Sequence, residues 1–261
     1  MRTLPPKKSC YEKNRGRSFA IWAILFWIAL WQIASMLIGK EMLLASPVSV
    51  VLKLWQLLFT GGFWSSIFFT FLRIMSGFFI ALGLAMCFAA LAARYRPARE
   101  LLAPLMAVLK STPVASITIL ILIWVSSRNL SLFMGIIMVM PVMYLNILTG
   151  IENTDKKLLQ MADVFEIPPL RRLRYLYIPQ VLPYFSSACK ISLGLCWKAG
   201  VAAEVIGTPT GSIGEKLYQA KIYLETPELF AWTLTIIAVS TLFERVMMLA
   251  LRGVTRRLEE E

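Results

Sequence analysis

The chain has 261 residues, of which 58% are hydrophobic and only 16% charged, and its formal net charge is +12. Soluble chains run nearer about 45–50% apolar and about 25% charged, so this balance excludes an ordinary globular domain and points to a membrane protein. There is no histidine, which removes Ser-His and Cys-His nucleophiles, an imidazole base and a histidine metal site; no catalytic residue, metal or cofactor is expected.

In chain order, a basic tail (1–18) precedes six apolar runs long enough to cross about 30 Å of hydrocarbon. They cover 19–38, 65–93, 101–125, 130–150, 184–207 and 229–251. The first has 20 residues, more than the roughly 7–15 of a signal peptide's apolar region, and no clear A-x-A site follows, so it reads as a retained span. After it, Ser46-Pro47 reads as an N-cap with a first-turn proline. Val48, Val51, Leu52, Trp55, Leu58 and Phe59 then repeat at helical spacing, with Lys53 and Gln56 opposite and Gly61-Gly62 as the stop. That predicts a short helix lying in the outer interface. Pro113 and Pro141 can kink the third and fourth runs. Cys10, Cys87, Cys189 and Cys196 form no C-x-x-C pair, and the last three lie in apolar runs as small buried hydrophobes.

The segments alternating on one side from the N-terminus (1–18, 94–100, 151–183, 252–261) hold 17 Lys and Arg, and those on the other hold 5. Cytoplasmic loops carry the Lys/Arg excess, so both termini are placed inside. The basic charge reports topology and an anionic inner leaflet, and nucleic acid need not be invoked.

The inside loop 151–183 holds the most information. Thr154 or Asp155 can cap a helix running through Glu166, on which Leu158, Met161, Ala162 and Phe165 share a face. Pro168-Pro169 breaks it. A basic stretch over 170–178, with Arg171, Arg172 and Arg174, ends before Pro179, and Pro183 opens the fifth span. The product is a helix–break–helix elbow. An amphipathic hairpin resting on lipid headgroups and a helix entering a partner's groove use the same spacing, so periodicity leaves both open.

In the fifth span a helical wheel gathers Lys190, Trp197 and Glu204 on one stripe with Lys198 beside it, while Cys196, Ala199 and Ala203 fall on the far side. Ionisable groups inside a membrane face a cavity or a partner. The stripe, with Arg73 of the second span, is therefore the candidate translocation path, Lys198 being a positive site for an anionic or polar solute. The plainer readings are snorkelling for Lys190, an acidic partner on another span for Lys198 and a helix-to-helix tie for Glu204. Glu244-Arg245 reads as an anchor near the cytoplasmic surface.

Loop 151–183 resembles the cytoplasmic coupling loop of ABC-transporter permease subunits, whose pattern is E-A-A, a glycine four residues on, then L-P. Gln160-Met161-Ala162 stands at E-A-A, Glu166 at the glycine and Ile178-Pro179 at L-P. With Glu166 in place of glycine, the Pro168-Pro169 pair is expected to make the turn instead. Within that superfamily the chain looks most like the nitrate/sulfonate/taurine type of binding-protein-dependent permease. Leu44-Ala45-Ser46-Pro47, Arg73 with Gly77-Phe78, Thr112-Pro113 with Ala115, Trp197, Ala203-Glu204 and Gly211-Ser212-Ile213-Gly214 carry that likeness over roughly 42–250. Trp124-Val125-Ser126 departs from the family's W-F-G.

The resemblance implies an all-α integral membrane protein with six transmembrane helices, both termini cytoplasmic and a coupling helix between spans four and five. It implies a non-catalytic permease subunit of a prokaryotic cytoplasmic-membrane importer, partnered by two ABC ATPase subunits, a second permease copy and an extracytoplasmic solute-binding protein. Gln160, Met161, Ala162, Asp163, Phe165, Glu166, Pro168 and Pro179 would then be the ATPase-coupling residues. No G-x-x-x-x-G-K-[ST] phosphate loop occurs, so ATP would be hydrolysed by a separate subunit. A stand-alone secondary transporter or channel is the alternative; it predicts an internal repeat, and none is evident.

Overall fold

The computed structural model describes Cys10–Glu260. Residues 1–9 of the basic tail, residue 261 and the Cys10 side chain lie outside the described residues. Among these every regular element is helical, the arrangement that satisfies backbone polar groups within each segment in lipid. α1 covers Cys10–Ile38, α2 Pro47–Leu58, α3 Gly61–Arg94, α4 Arg96–Ser111 and α5 Val114–Leu122. After a 3₁₀ turn, Ser127–Asn129, come α6 Leu130–Glu152, α7 Lys156–Val164 and α8 Pro169–Arg172. A π-helical turn, Leu173–Tyr177, leads into α9 Ile178–Gly207, followed by α10 Ile213–Ile222 and α11 Thr226–Glu260.

Among the described residues three helices (α3, α6 and α11) are long and apolar enough to cross a membrane, and a bent pair, α4 with α5, makes up to four. α9 has the length at 30 residues, and its Lys190, Lys198 and Glu204 dilute its apolar character. The described apolar part of α1, Trp22–Ile38, is shorter. The run over 101–125 is bent at Pro113, as that proline allows, and the bend is sharper than a kink: α4 and α5 meet at 104°. Pro113 forbids the α region to the residue before it, and Thr112 is accordingly extended (φ −73°, ψ 129°). Pro141 stays within a continuous α6.

α3, α6 and α9 form the core. Along α3 the buried positions Ala81, Ala85, Ala89 and Ala92 recur every three to four residues, and small residues let helix backbones close up in a membrane protein. At the tightest point a Cβ on Gly77 would stand 2.4 Å from the Leu132 carbonyl oxygen, so only glycine admits this approach. Cys189 and Cys196 are buried; Cys87 is exposed, contrary to the buried reading.

The outer helix also differs from expectation. Ser46 caps α2 through the Ser49 amide as predicted, yet Gly61-Gly62 starts α3 and α2 ends at Leu58, where Thr60 Oγ1 donates to the Leu57 carbonyl. The face that buries holds Val50, Leu54 and Leu57, packed against Phe230, Ala231 and Leu234 of α11 and Trp31 of α1. Val48, Val51, Leu52, Trp55 and Phe59 are exposed. In lipid both faces of a helix can be apolar, so periodicity does not say which one meets protein. Lys53 joins α2 to α11 through Glu228 at 3.0 Å and Glu225 at 3.3 Å.

Candidate functional site

The predicted elbow is present, with a different construction. Asp155 caps α7, its carboxylate accepting from the Lys157 amide at 2.8 Å, and α7 ends at Val164 rather than running through Glu166. Glu166 itself takes the left-handed conformation (φ 48°). Its amide donates to the Asp163 carbonyl and the Ile167 amide to that of Ala162. That pair of bonds is a Schellman C-cap, normally closed by glycine. The bend therefore stays at the glycine position despite the glutamate, and the expectation that the prolines replace it is corrected. Pro168 (φ −57°, ψ 147°) and Pro169 instead start α8.

Arg172 locks the bend. Its Nε donates to the Ile167 carbonyl at 2.8 Å, one terminal nitrogen donates to the Ala162 carbonyl at 3.0 Å, and the other pairs with Asp163. The orphan carbonyls at the C-terminus of α7 thus gain a cation, as the helix dipole favours. Sequence reading placed Arg172 only in a basic cluster; the Asp163–Arg172 separation fits no helical period and could not have flagged it.

The stretch over 170–178 does not stop before Pro179. It passes through the π turn into α9, where Pro179 occupies the first turn, needing no amide donor, and Pro183 lies inside the helix. A π turn is a common device at functional positions in helices. The predicted shared face of α7 divides: Ala162 is buried in the bend, whereas Met161 and Phe165 are exposed, together with Val164 and Leu170. Phe165 is 71% exposed. Gln160, Asp163, Glu166 and Pro168 surround them on the surface, and Pro179 is exposed at the start of α9.

Four of the five path candidates fall into three places rather than one stripe, and Lys190 stands apart from them. Trp197 and Lys198 line a cavity of about 310 Å³ between α9 and α11, together with Ser240 and Glu244. Glu244 thus shares a cavity with Lys198 rather than serving only as an anchor. Trp197 is buried, and its indole N–H has no partner among the described residues. Arg73 lies in a second cavity, of about 580 Å³, with Arg128, Asn129 and Ser76. Its guanidinium sits 4.3 Å from the Phe69 ring centroid, donates to Asn129 Oδ1 at 2.6 Å and bonds the Arg128 carbonyl. Lys190 is exposed and in neither cavity.

Glu204 occupies the third place and is wholly buried. Its Oε2 accepts from Thr70 Oγ1 of α3 at 2.8 Å and from the Gly214 amide of α10 at 3.3 Å, while Thr70 Oγ1 accepts from the Ile213 amide at 3.0 Å. A carboxylate beneath a helix N-terminus is a favourable placement. A Cβ on Gly214 would come within 2.5 Å of the Glu204 backbone carbon, so the glycine admits the contact. α10 was not foreseen, although Ser212 and Glu215 spell the capping pattern that starts it: Ser212 accepts from the Glu215 amide at 2.9 Å, and Glu215 reaches back to the Gly211 amide at 2.6 Å.

A family model described as the binding-protein-dependent transport system inner membrane component matches residues 81–260. The chain belongs to that family. It is the permease subunit of an ABC importer and a multi-pass inner-membrane protein, of the nitrate/sulfonate/taurine type, and the family implies ATPase and binding-protein partners. SsuC of Bacillus subtilis, a permease protein named for aliphatic sulfonates transport, is 27% identical over 85% of this chain and 81% of that protein. The riboflavin transport system permease protein RibX of Chloroflexus aurantiacus is 26% identical over 86% and 87%. The bicarbonate transport system permease protein CmpB of Synechococcus elongatus is 24% identical over 96% and 94%.

Proposed function

We propose that this permease spans the membrane six times with both termini cytoplasmic, and that it works as a homodimer on two ATPase subunits, taking solute from an extracytoplasmic binding protein. α1, α3, the bent α4–α5 pair, α6, α9 and α11 supply the spans; the excess of Lys and Arg in alternate loops supports the orientation. Residues 1–18 and 252–261 are cytoplasmic tails, 19–64 hold the first span and outer helix, and 65–251 form the permease core.

The elbow is the ATPase-docking element. The observation that carries this is an exposed apolar set, Met161, Val164, Phe165 and Leu170, on a bend locked by Arg172. Apolar surface clustered at a rigid bend calls for a partner. Gln160, Asp163 and Glu166 supply the polar rim, Ala162 fills the bend, and Pro168 and Pro179 shape its ends. The ATPase works on this lever; the permease itself performs no chemistry.

The path runs past Arg73, Trp197 and Lys198, with Lys190 toward the inner end and Glu204 fixing α10 at the outer mouth. The cargo is a small anionic or polar solute. Two relatives are named for sulfonates and bicarbonate, both anions, and Lys198 and Arg73 suit an anion. To test the docking, Phe165→Cys is crosslinked in the assembled transporter: a product with the ATPase subunit is expected, and its absence would falsify the assignment. Phe165→Asp is expected to cost about 2 kcal/mol or more of docking energy, as truncation of a central interface aromatic does.

A further inference from the structure

The last turns of α3 and α6, the π turn and the first turns of α9 line an open cavity of about 560 Å³. Its interior is apolar, with Met86, Ala90, Ile151 and Phe185 among the lining side chains, and the π turn contributes one wall. Two polar groups, Arg94 and Tyr177, stand in that lining. Arg94 is exposed in the last turn of α3, and among the described residues no carboxylate pairs with it. Met86 lies eight residues deeper along α3, about 12 Å at the helical rise.

An unpaired guanidinium at the head of an apolar slot is complementary to an anion that carries an apolar tail. In a membrane the solvent of such a slot is hydrocarbon, and basic pockets between helices on the cytoplasmic side hold anionic lipid headgroups. We propose that this cavity is a binding site for an anionic phospholipid, with its phosphate on Arg94 and an acyl chain against Met86, Ala90, Ile151 and Phe185. The site rests on the topology proposed above, which puts Arg94 at the inner leaflet. Because the π turn both walls the slot and joins the elbow to α9, a seated chain packs against the segment that links the two. Lipid composition thereby tunes coupling.

The test uses the assembled transporter in vesicles of phosphatidylcholine with and without phosphatidylglycerol, followed by native mass spectrometry of retained lipid and ATPase assay. The wild type is expected to retain phosphatidylglycerol over phosphatidylcholine and to change its ATPase rate with it. Arg94→Gln should weaken phosphatidylglycerol retention about fivefold, the loss of one basic contact at an anionic surface. Ala90→Trp, at an exposed position where the ring fills the slot, should abolish it. Unchanged retention in both variants overturns the proposal. So does an Ala90→Trp variant that keeps its lipid while losing its permease partner, since the slot would then be covered by a second copy. Labelling of Arg94→Cys by an impermeant maleimide from the outer side would overturn the topology instead, whatever the lipid result.

Discussion

Thr70 is the residue on which the outer end of the core turns. Its hydroxyl donates to Glu204 and accepts from the Ile213 amide, so a single oxygen ties α3, α9 and α10 together. Thr70→Val removes both bonds and leaves a buried carboxylate and a buried amide short of partners, at about 1–3 kcal/mol for each orphaned group. The melting temperature of the protein in nanodiscs should fall accordingly, and Thr70→Ser should restore most of it. A melting curve for Thr70→Val that overlays the wild type would show that the tie carries no weight. The pairing was not legible in advance. In the sequence Ala203-Glu204 and Gly211–Gly214 are separate motifs, and only folding brings positions 70, 204 and 214 to one point.

Helical elements show the same division. The elbow's existence followed from local chemistry: a capping aspartate, an apolar period and a proline pair. Its joint did not, because backbone conformation at Glu166 depends on the C-cap bonds and on Arg172 arriving from the next helix. Holding a non-glycine residue in the left-handed region costs about 1 kcal/mol. Glu166→Gly is therefore expected to leave the protein as stable or slightly more so, with ATPase coupling retained. Arg172→Lys keeps the charge but loses the three-pointed grip and should loosen the bend, raising amide hydrogen exchange over 162–172; unchanged exchange there would remove Arg172 from its role. At the other end the Glu228 carboxylate, hydrogen-bonded to it, holds the Lys53 ammonium above the ordinary lysine pKa, with partial burial pulling the other way. A raised lysine pKa means that the contribution is complete below the unfolded value of about 10.4 and disappears as pH climbs through the folded one. Disulfide trapping between α2 and α11 should weaken only in that alkaline window, and Lys53→Met should abolish the dependence.

On the scale of the whole molecule, the proposed path rests on where charges sit relative to cavities. Lys198→Leu is expected to lower solute-stimulated ATPase activity and uptake in the reconstituted transporter about tenfold, the equivalent of one charge-assisted contact. Full stimulation and uptake in that variant would remove Lys198 from the path.

Composition, the missing histidine and the six apolar runs by themselves determined that the chain is a helical membrane protein with no imidazole chemistry, because hydrocarbon permits few alternatives to long apolar helices. Ordered motifs determined its family. The tertiary structure decided the 104° bend at Pro113, the burial of Glu204 and the cavity that Lys198 and Glu244 share. The bend starts from a local proline, whereas the burial of Glu204 and the shared cavity depend on residues far apart in the chain, and a helical period reports only which side chains share a face. In a bundle whose faces are apolar all round, it does not report whether that face meets lipid, protein or a cavity.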